Sequence, residues 1–186
     1  MARDTRRQMI RQALLLFRAQ GYAATGIREV ATTAGAHRGV IYHHFPRGKT
    51  ELAEEVLASI DSMAGPLIEA VCAQQQPIPA MHAILAGAKM IMTGGEYPPG
   101  CPVAAITIGA GPDDESLRSS ARDIFRRWQS PFRECLRRNG FTEPDAANLA
   151  TLLIAGMEGA LVLCRAEGDN DALDRVAAAL ERALRV

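Results

Sequence analysis

HRGVIYHHFPRGK, residues 37–49, sets three histidines, two arginines and a lysine among Val40, Ile41, Tyr42 and Phe45. A segment of this kind suits a metal site, a catalytic patch or a grip on a polyanion, and residue spacing separates the three. Read as a helix, it gathers Ile41, His44 and Phe45 on one face and leaves Arg38, Gly39, Tyr42 and His43 largely on the other. His43 and His44 are neighbours, about 100° apart around a helix, so they cannot share a metal ion, and no Cys, Asp or Glu stands at helical spacing to join either. A catalytic histidine needs an orienting carboxylate, and residues 30–50 contain none. The polyanion grip remains. A DNA major groove about 12 Å wide admits a helix, and arginine reads guanine O6 and N7 with two hydrogen bonds. Arg38 is then the leading base reader, Gly39 keeps the backbone low against the groove, and Tyr42 offers its hydroxyl to a phosphate. Lys49 adds charge beside the free amides of the next helix, and His37 and His43 are groove and backbone neighbours. His44 either contacts phosphate or packs.

The flanks of this segment frame it as the third of three short helices. Ile10, Ala13, Leu14 and Phe17 form one apolar stripe over residues 4–20, stopped by Gly21. A second helix over 27–34 turns Ile27, Val30 and Ala31 inward and ends at Gly35, and the third, over 37–45, is stopped before Pro46. Short helices with a glycine between the second and third fit a helix-turn-helix. Charge agrees: residues 1–50 carry nine Arg and Lys against two acids, +7, while the remainder carries twelve against nineteen, −7. The N-terminal quarter therefore attracts phosphate and the rest repels it.

Helical periodicity continues through the other two thirds and period-two alternation is absent, which predicts an all-α chain. A long helix over 47–72 carries Gly65-Pro66 as a kink. A helix to about Thr93 follows Pro77 and Pro79, GGEYPPGCP over 94–102 is a loop, and Val103–Ala110 is a short apolar helix. Asp113 or Asp114 caps a helix to Arg138, Thr142 caps one to Ala166, and a last helix spans 171–185. At 186 residues the chain buries a sizeable core, and its four scattered cysteines (Cys72, Cys101, Cys135, Cys164) suggest neither disulfides nor a zinc knuckle. No signal peptide is seen, and the longest apolar run, 149–164, is broken by Glu158 and falls short of the ~20 residues of a membrane span, so a cytoplasmic setting without a membrane is expected.

Residues 3–50 resemble the DNA-binding domain of the TetR family of bacterial transcriptional repressors. The resemblance lies in Ala13/Leu16/Phe17, GYAAT (21–25), IREVA (27–31), AGA (34–36), GVIYHHF (39–45) and Lys49, in that order. It implies that Thr25 serves as a cap or phosphate ligand, that Arg28 and Arg38 face bases, and that Tyr42, His43 and Lys49 hold the backbone. Gly26 departs from the family's Ser or Thr at the second helix cap, which removes one side-chain phosphate contact. PPGCPVAAI (98–106), with Trp128, resembles the LmrA/YxaF-like branch. The resemblance implies a helix-turn-helix domain over 1–48 and an effector-binding, dimerising domain over 49–186.

Residues supply candidates for both roles of that second domain. Ala155, Gly156, Gly159 and Ala160 let another helix approach, and with Leu152, Leu163 and the stripe Leu173/Val176/Leu180/Leu184 they offer a two-helix seam for a homodimer. Packing on the chain's own core is the competing reading. Met63, Leu67, Met90, Phe125, Trp128, Phe132 and Met157 form a candidate apolar effector pocket, or are simply core. Glu158, amid LLIAGM and GALVLC, needs a partner: Arg126 or Arg133, a ligand, or the dimer seam. Cys101 reads as a packing thiol.

The expected function is a homodimeric repressor that binds a pseudo-palindromic double-stranded operator and is released by a small, mostly apolar effector, with no cofactor or metal. Two alternatives stand beside it. One is a small all-α enzyme with a pocket near Trp128 and Glu158, which lacks a nucleophile, base and orienter set. The other is a DNA-binding protein with no effector.

Overall fold

Helix ends fall where glycine, proline and capping side chains demand them. The computed structural model describes residues 2–37, 39–93 and 100–185, with the backbone alone at Ala2, Arg3, Ile91, Met92 and Thr93. Arg38 and most of the expected loop, residues 94–99, lie outside the described residues. Among those described, the regular elements are nine helices and no strand: α1 (Ala2–Gln20), α2 (Ile27–Thr33), α3 (Val40–His44), α4 (Lys49–Gln74), α5 (Pro77–Thr93), α6 (Pro102–Gly109), α7 (Glu115–Arg138), α8 (Glu143–Glu167) and α9 (Asp171–Ala183). Gly21 after α1 and Gly35 after α2 take φ of +87° and +68°, a region that costs any Cβ-bearing residue. Thr142 accepts the Asp145 N–H at 3.3 Å and so opens α8. α3 begins three residues later than the sequence predicts, because the Val40 N–H bonds the His37 carbonyl at 2.9 Å in a tighter turn.

Packing divides the chain into two compact units, Met1–Asp61 with Cys101–Asp123, and Ser62–Gly100 with Ile124–Val186. Both boundaries within helices, in α4 and α7, lie N-terminal to an internal proline, Pro66 and Pro131 respectively. Pro66 cannot donate to the carbonyl of Ser62, the first residue of the second unit in α4.

In the first unit, α1 packs on α2 and α6, and α2 packs on α3. Met9, Ala13, Phe17, Val30, Ile41 and Phe45 are fully buried, and the Phe17 and Tyr22 rings meet edge-on at 5.4 Å. The apolar helix α6 belongs here, with Val103 and Ile106 buried. In the second unit, α5, α8 and α9 pack on one another around Met81, Leu153, Leu161 and Leu173. Phe132 and Leu136 of α7 are also buried there, and Arg138 donates to the Cys72 carbonyl at 2.7 Å.

α4 and α8 both have the length and mean hydropathy to cross a membrane. α8 nonetheless buries Ala150, Leu153, Met157, Ala160, Leu161 and Cys164 in the second unit, as a core helix does.

Candidate nucleic-acid interface

The faces of α3 follow its periodicity. Ile41 is fully buried, Phe45 just beyond the helix is buried with it, and Gly39, Tyr42 and His43 are exposed. Tyr42 keeps 47% of its surface, unusual for an aromatic residue in a core-forming unit and appropriate for one with an outside partner. His44 is half-buried, its ring 5.5 Å from that of His43 and 6.5 Å from that of Phe45, both edge-on. His37 is exposed, and its Nδ1 accepts the Gly39 N–H at 3.3 Å, which shapes the turn entering α3.

On α2, Arg28 is exposed and lines an open recess of about 400 Å³ with Glu29, Thr32 and Thr33. The hydroxyls of Thr32 and Thr33 donate back to the carbonyls of Arg28 and Glu29 at 3.0 Å, so the guanidinium is the group this face extends outward. Gly26 has no side chain to cap α2. Glu29 compensates from inside the helix: its Oε2 accepts the Gly26 N–H at 3.3 Å and the Gln20 amide at 3.0 Å.

Gln20 is a residue that sequence reasoning misses, and it bonds Thr25. Thr25 is only 2% exposed, and its hydroxyl donates to the Gly21 carbonyl at 2.8 Å while receiving Gln20 Nε2 at 3.4 Å. The hydroxyl therefore ties down the α1–α2 turn. The one sequence signal for Gln20 is the missing cap at Gly26, which requires some other group to order the start of α2.

Cations near α4 are more engaged than their count suggests. Lys49 is half-buried, donates to the Ala23 carbonyl at 3.2 Å, and holds its ammonium 4.2 Å from the Tyr22 ring centre. Burial pulls its pKa below the usual lysine value, while burial pushes the Tyr22 phenol up. Arg47 pairs with Glu54 at 2.6 Å, and Arg6 with Glu55 at 2.8 Å. Glu54 is held below the ordinary carboxylate range chiefly by the hydrogen bond from Arg47. Arg7, Arg11 and Arg28 are exposed.

In the second unit, Trp128, Phe132 and Met157 are buried and Phe125 is half-buried, edge-on to Trp128 at 5.9 Å. Met63, Leu67 and Met90 are instead exposed, by 54%, 68% and 72%, so the seven side chains do not line one enclosed cavity. Glu158 is half-buried, and Arg133 is paired with Glu143. A groove of about 240 Å³ lies elsewhere, between His82, Leu85 and Lys89 of α5 and Leu173, Asp174 and Ala177 of α9. Two ion pairs border it, His82 with Glu181 at 2.9 Å and Lys89 with Asp174 at 2.8 Å.

The expected dimer seam divides in a similar way. Leu173, Leu180 and Leu184 are buried on the chain's own core, and Val176 lies where a Cβ added to Gly156 would meet its Cγ1 at 3.1 Å. Gly156 and Val176 thus bring α8 against α9 within one chain. Leu152 and Leu163 remain half-exposed, and nothing lies within 4 Å of a Cβ built on Gly159. Val162, 65% exposed, extends the same apolar strip. Among the described residues, no group of three or more His, Cys, Asp or Glu side chains is placed to hold a metal.

Comparison with known proteins agrees with this architecture. Residues 9–56 match the bacterial regulatory proteins of the tetR family, and residues 77–179 match the C-terminal domain of LmrA/YxaF-like transcriptional regulators. The HTH-type transcriptional regulator YxaF of Bacillus subtilis is 30% identical across 91% of this chain and 90% of its own length. LmrA of the same organism is 29% identical across 86% of each. A TetR regulatory protein from Rhodobacter sphaeroides shares the fold with a TM-score of 0.84 at 22% identity, over 95% of this chain and 97% of that one. A cysteine mutant of the TetR-family regulator CifR, solved with 26-base-pair operator DNA, does so at 0.80 and 22% identity, over 97% and 95%. With a matching family profile at each end and a relative similar across nearly its whole length, the chain belongs to the TetR family of DNA-binding transcriptional regulators, in its LmrA/YxaF-like branch.

Proposed function

We propose that this regulator is a cytoplasmic, ligand-responsive repressor that binds a pseudo-palindromic operator as a homodimer and leaves it when a small, mostly apolar effector binds. The observation that carries the reading is the split of α3: Ile41 and Phe45 face inward while Gly39, Tyr42 and His43 face out, beside exposed Arg28 on α2. Arg28 and Arg38 read bases. Tyr42, His43 and His37 contact the backbone, and Lys49 lends charge to it while bracing the α1–α2 turn. Residues 1–48 do the reading, and residues 49–186 bind effector and dimerise.

For the dimer, the outward strip Leu152, Gly159, Val162 and Leu163 of α8 is apolar and open, which suits a second copy of the same helix across a two-fold axis. Two α3 helices about 34–36 Å apart then enter successive major grooves. For the effector, Phe125, Trp128, Phe132 and Met157 of α7 and α8 are the apolar candidates and Glu158 the polar one. The long helix α4 leads from the reading residues past Pro66, and a coupling of ~1–3 kcal/mol along it would lower operator affinity roughly 5- to 150-fold.

The test is selection of duplexes from a random-sequence pool, followed by binding of Arg28→Ala and Arg38→Ala variants to the selected site. Each substitution is expected to cost about 1–3 kcal/mol and to relax preference at one position of each half-site. Unchanged sequence preference in both variants, with folding intact, refutes the reading. Fluorescence of Trp128, the only tryptophan, reports effector binding in a ligand screen. A regulator with no effector gives no response across that screen.

A further inference from the structure

Arg6 looks, by composition, like one more cation for phosphate. Its geometry assigns it differently. Nη2 lies 2.8 Å from Glu55 Oε1 and Nη1 donates to Glu55 Oε2 at 3.2 Å, a two-point pairing between α1 and α4. The guanidinium also sits over Phe45, with Cζ 5.0 Å from the ring centre. Phe45 is the C-cap of α3, fully buried, and its N–H bonds the Ile41 carbonyl at 2.8 Å.

α3 has only five residues and cannot hold a helical shape alone, so its direction depends on what fixes its ends. Ile41 anchors the inner face, and Phe45, ahead of Pro46, anchors the end. We propose that Arg6 is a positioning residue for operator reading: paired with Glu55 and laid on Phe45, it fixes the end of α3 and thereby the aim of Tyr42 and His43. The planar, forked guanidinium meets a carboxylate and a ring face at once, which a lysine ammonium does not. The side chains of the pair remain 35% and 39% exposed, so the contact contributes little to overall stability and its effect falls on local geometry. The inference rests on the assignment of α3 as the reading helix.

The experiment measures binding to the wild-type-selected duplex and to an unrelated duplex, each across a salt series, for wild type, Arg6→Lys, Arg6→Gln and Glu55→Gln. Arg6→Lys is expected to weaken selected-site binding about three- to thirtyfold while leaving non-specific binding and the salt slope unchanged. Glu55→Gln is expected to weaken selected-site binding too, although it removes a negative charge from the DNA-binding unit. The proposal is overturned if Arg6→Lys binds the selected site like wild type. It is equally overturned if Arg6→Gln lowers the salt slope on both duplexes by about one unit per protomer, the mark of a lost phosphate contact. Tighter selected-site binding by Glu55→Gln also rejects it, since charge alone would then explain the pair. Circular dichroism and melting of each variant confine the comparison to folded protein. Failure of the wild type to select any duplex would reject the reading-helix assignment instead, a separate outcome.

Discussion

An alanine at Gly109 would place its Cβ 3.0 Å from the Ala23 amide nitrogen and 3.1 Å from Tyr22 Cβ. Carbon contacts settle near 3.5–4.0 Å, and neither obstructing atom is the tip of a side chain that can rotate aside. Relief therefore requires α6 to withdraw or the α1–α2 turn to shift, and overpacking of this kind costs typically about 1–3 kcal/mol. Alanine recovers at most ~1 kcal/mol of helix propensity, and less at the last residue of α6. The net expectation is a loss of about 1–2 kcal/mol, or roughly 2–8 °C if the chain melts as one unit. Gly87 is the control: it lies inside α5, is exposed, and has open space around the position a Cβ would take, so Gly87→Ala should gain roughly 0.5–1 kcal/mol. Thermal and urea melts at one fixed protomer concentration compare the two, because the stability of a chain that self-associates depends on concentration. Because the Tyr22 turn leads into α2, Gly109→Ala should also weaken operator binding. A Gly109→Ala protein that melts at or above wild type would mean that α6 and the Tyr22 turn are not in close contact there.

Other expectations follow from burial. Phe132→Ala removes a side chain only 1% exposed and should cost about 3–5 kcal/mol in denaturant melts; a loss under 1 kcal/mol would mean that the site collapses around the gap or is not core. Burial, reinforced by nearby Cys135, pushes the Cys72 thiol up to about 12, so in the folded protein it stays protonated below that value and alkylates slowly at about pH 8. Half-buried Cys101 should be labelled first, and Cys72 only after urea; early loss of the Cys72 thiol in mass spectra of digests would contradict its placement. Leu163→Glu, on the outward strip of α8, should give a monomer by sedimentation and weaken operator binding, whereas an unchanged dimer would move the seam elsewhere.

Much of the fold is legible in the sequence because its punctuation is local. Gly21, Gly35, Pro46, Pro77 and the Thr142 cap act on their own backbone, and the helices end within a few residues of where these predict. The inner face of α3 is legible for the same reason, since a repeat of 3.6 places Ile41 without knowledge of its neighbours. Tertiary commitments are not. The sequence does not show that the Thr25 hydroxyl bonds the Gly21 carbonyl, and it counts Arg6, Arg47 and Lys49 only as positive charge, although each has a partner in Glu55, Glu54 or the Ala23 carbonyl. An apolar stripe states that a face is buried but not by what. The stripe Leu173, Leu180 and Leu184 is an example: the structure shows these residues buried within the chain, which the sequence leaves open. Nor can sequence order place residues 101–123 in the compact unit of the helix-turn-helix, since that depends on contacts between segments far apart in the chain.

On the proposed function, the exposed face of α2 and α3 reads a palindromic operator in duplex DNA. The most direct measurement is affinity for the duplex that the wild-type chain selects from a random pool, followed across salt concentration. The expected result is a site with two related half-sites centred about one helical turn, 10–10.5 base pairs, or a multiple of it apart, and a steep linear fall of log K with log salt. A selected pool without a shared motif, or a flat salt plot, would contradict it.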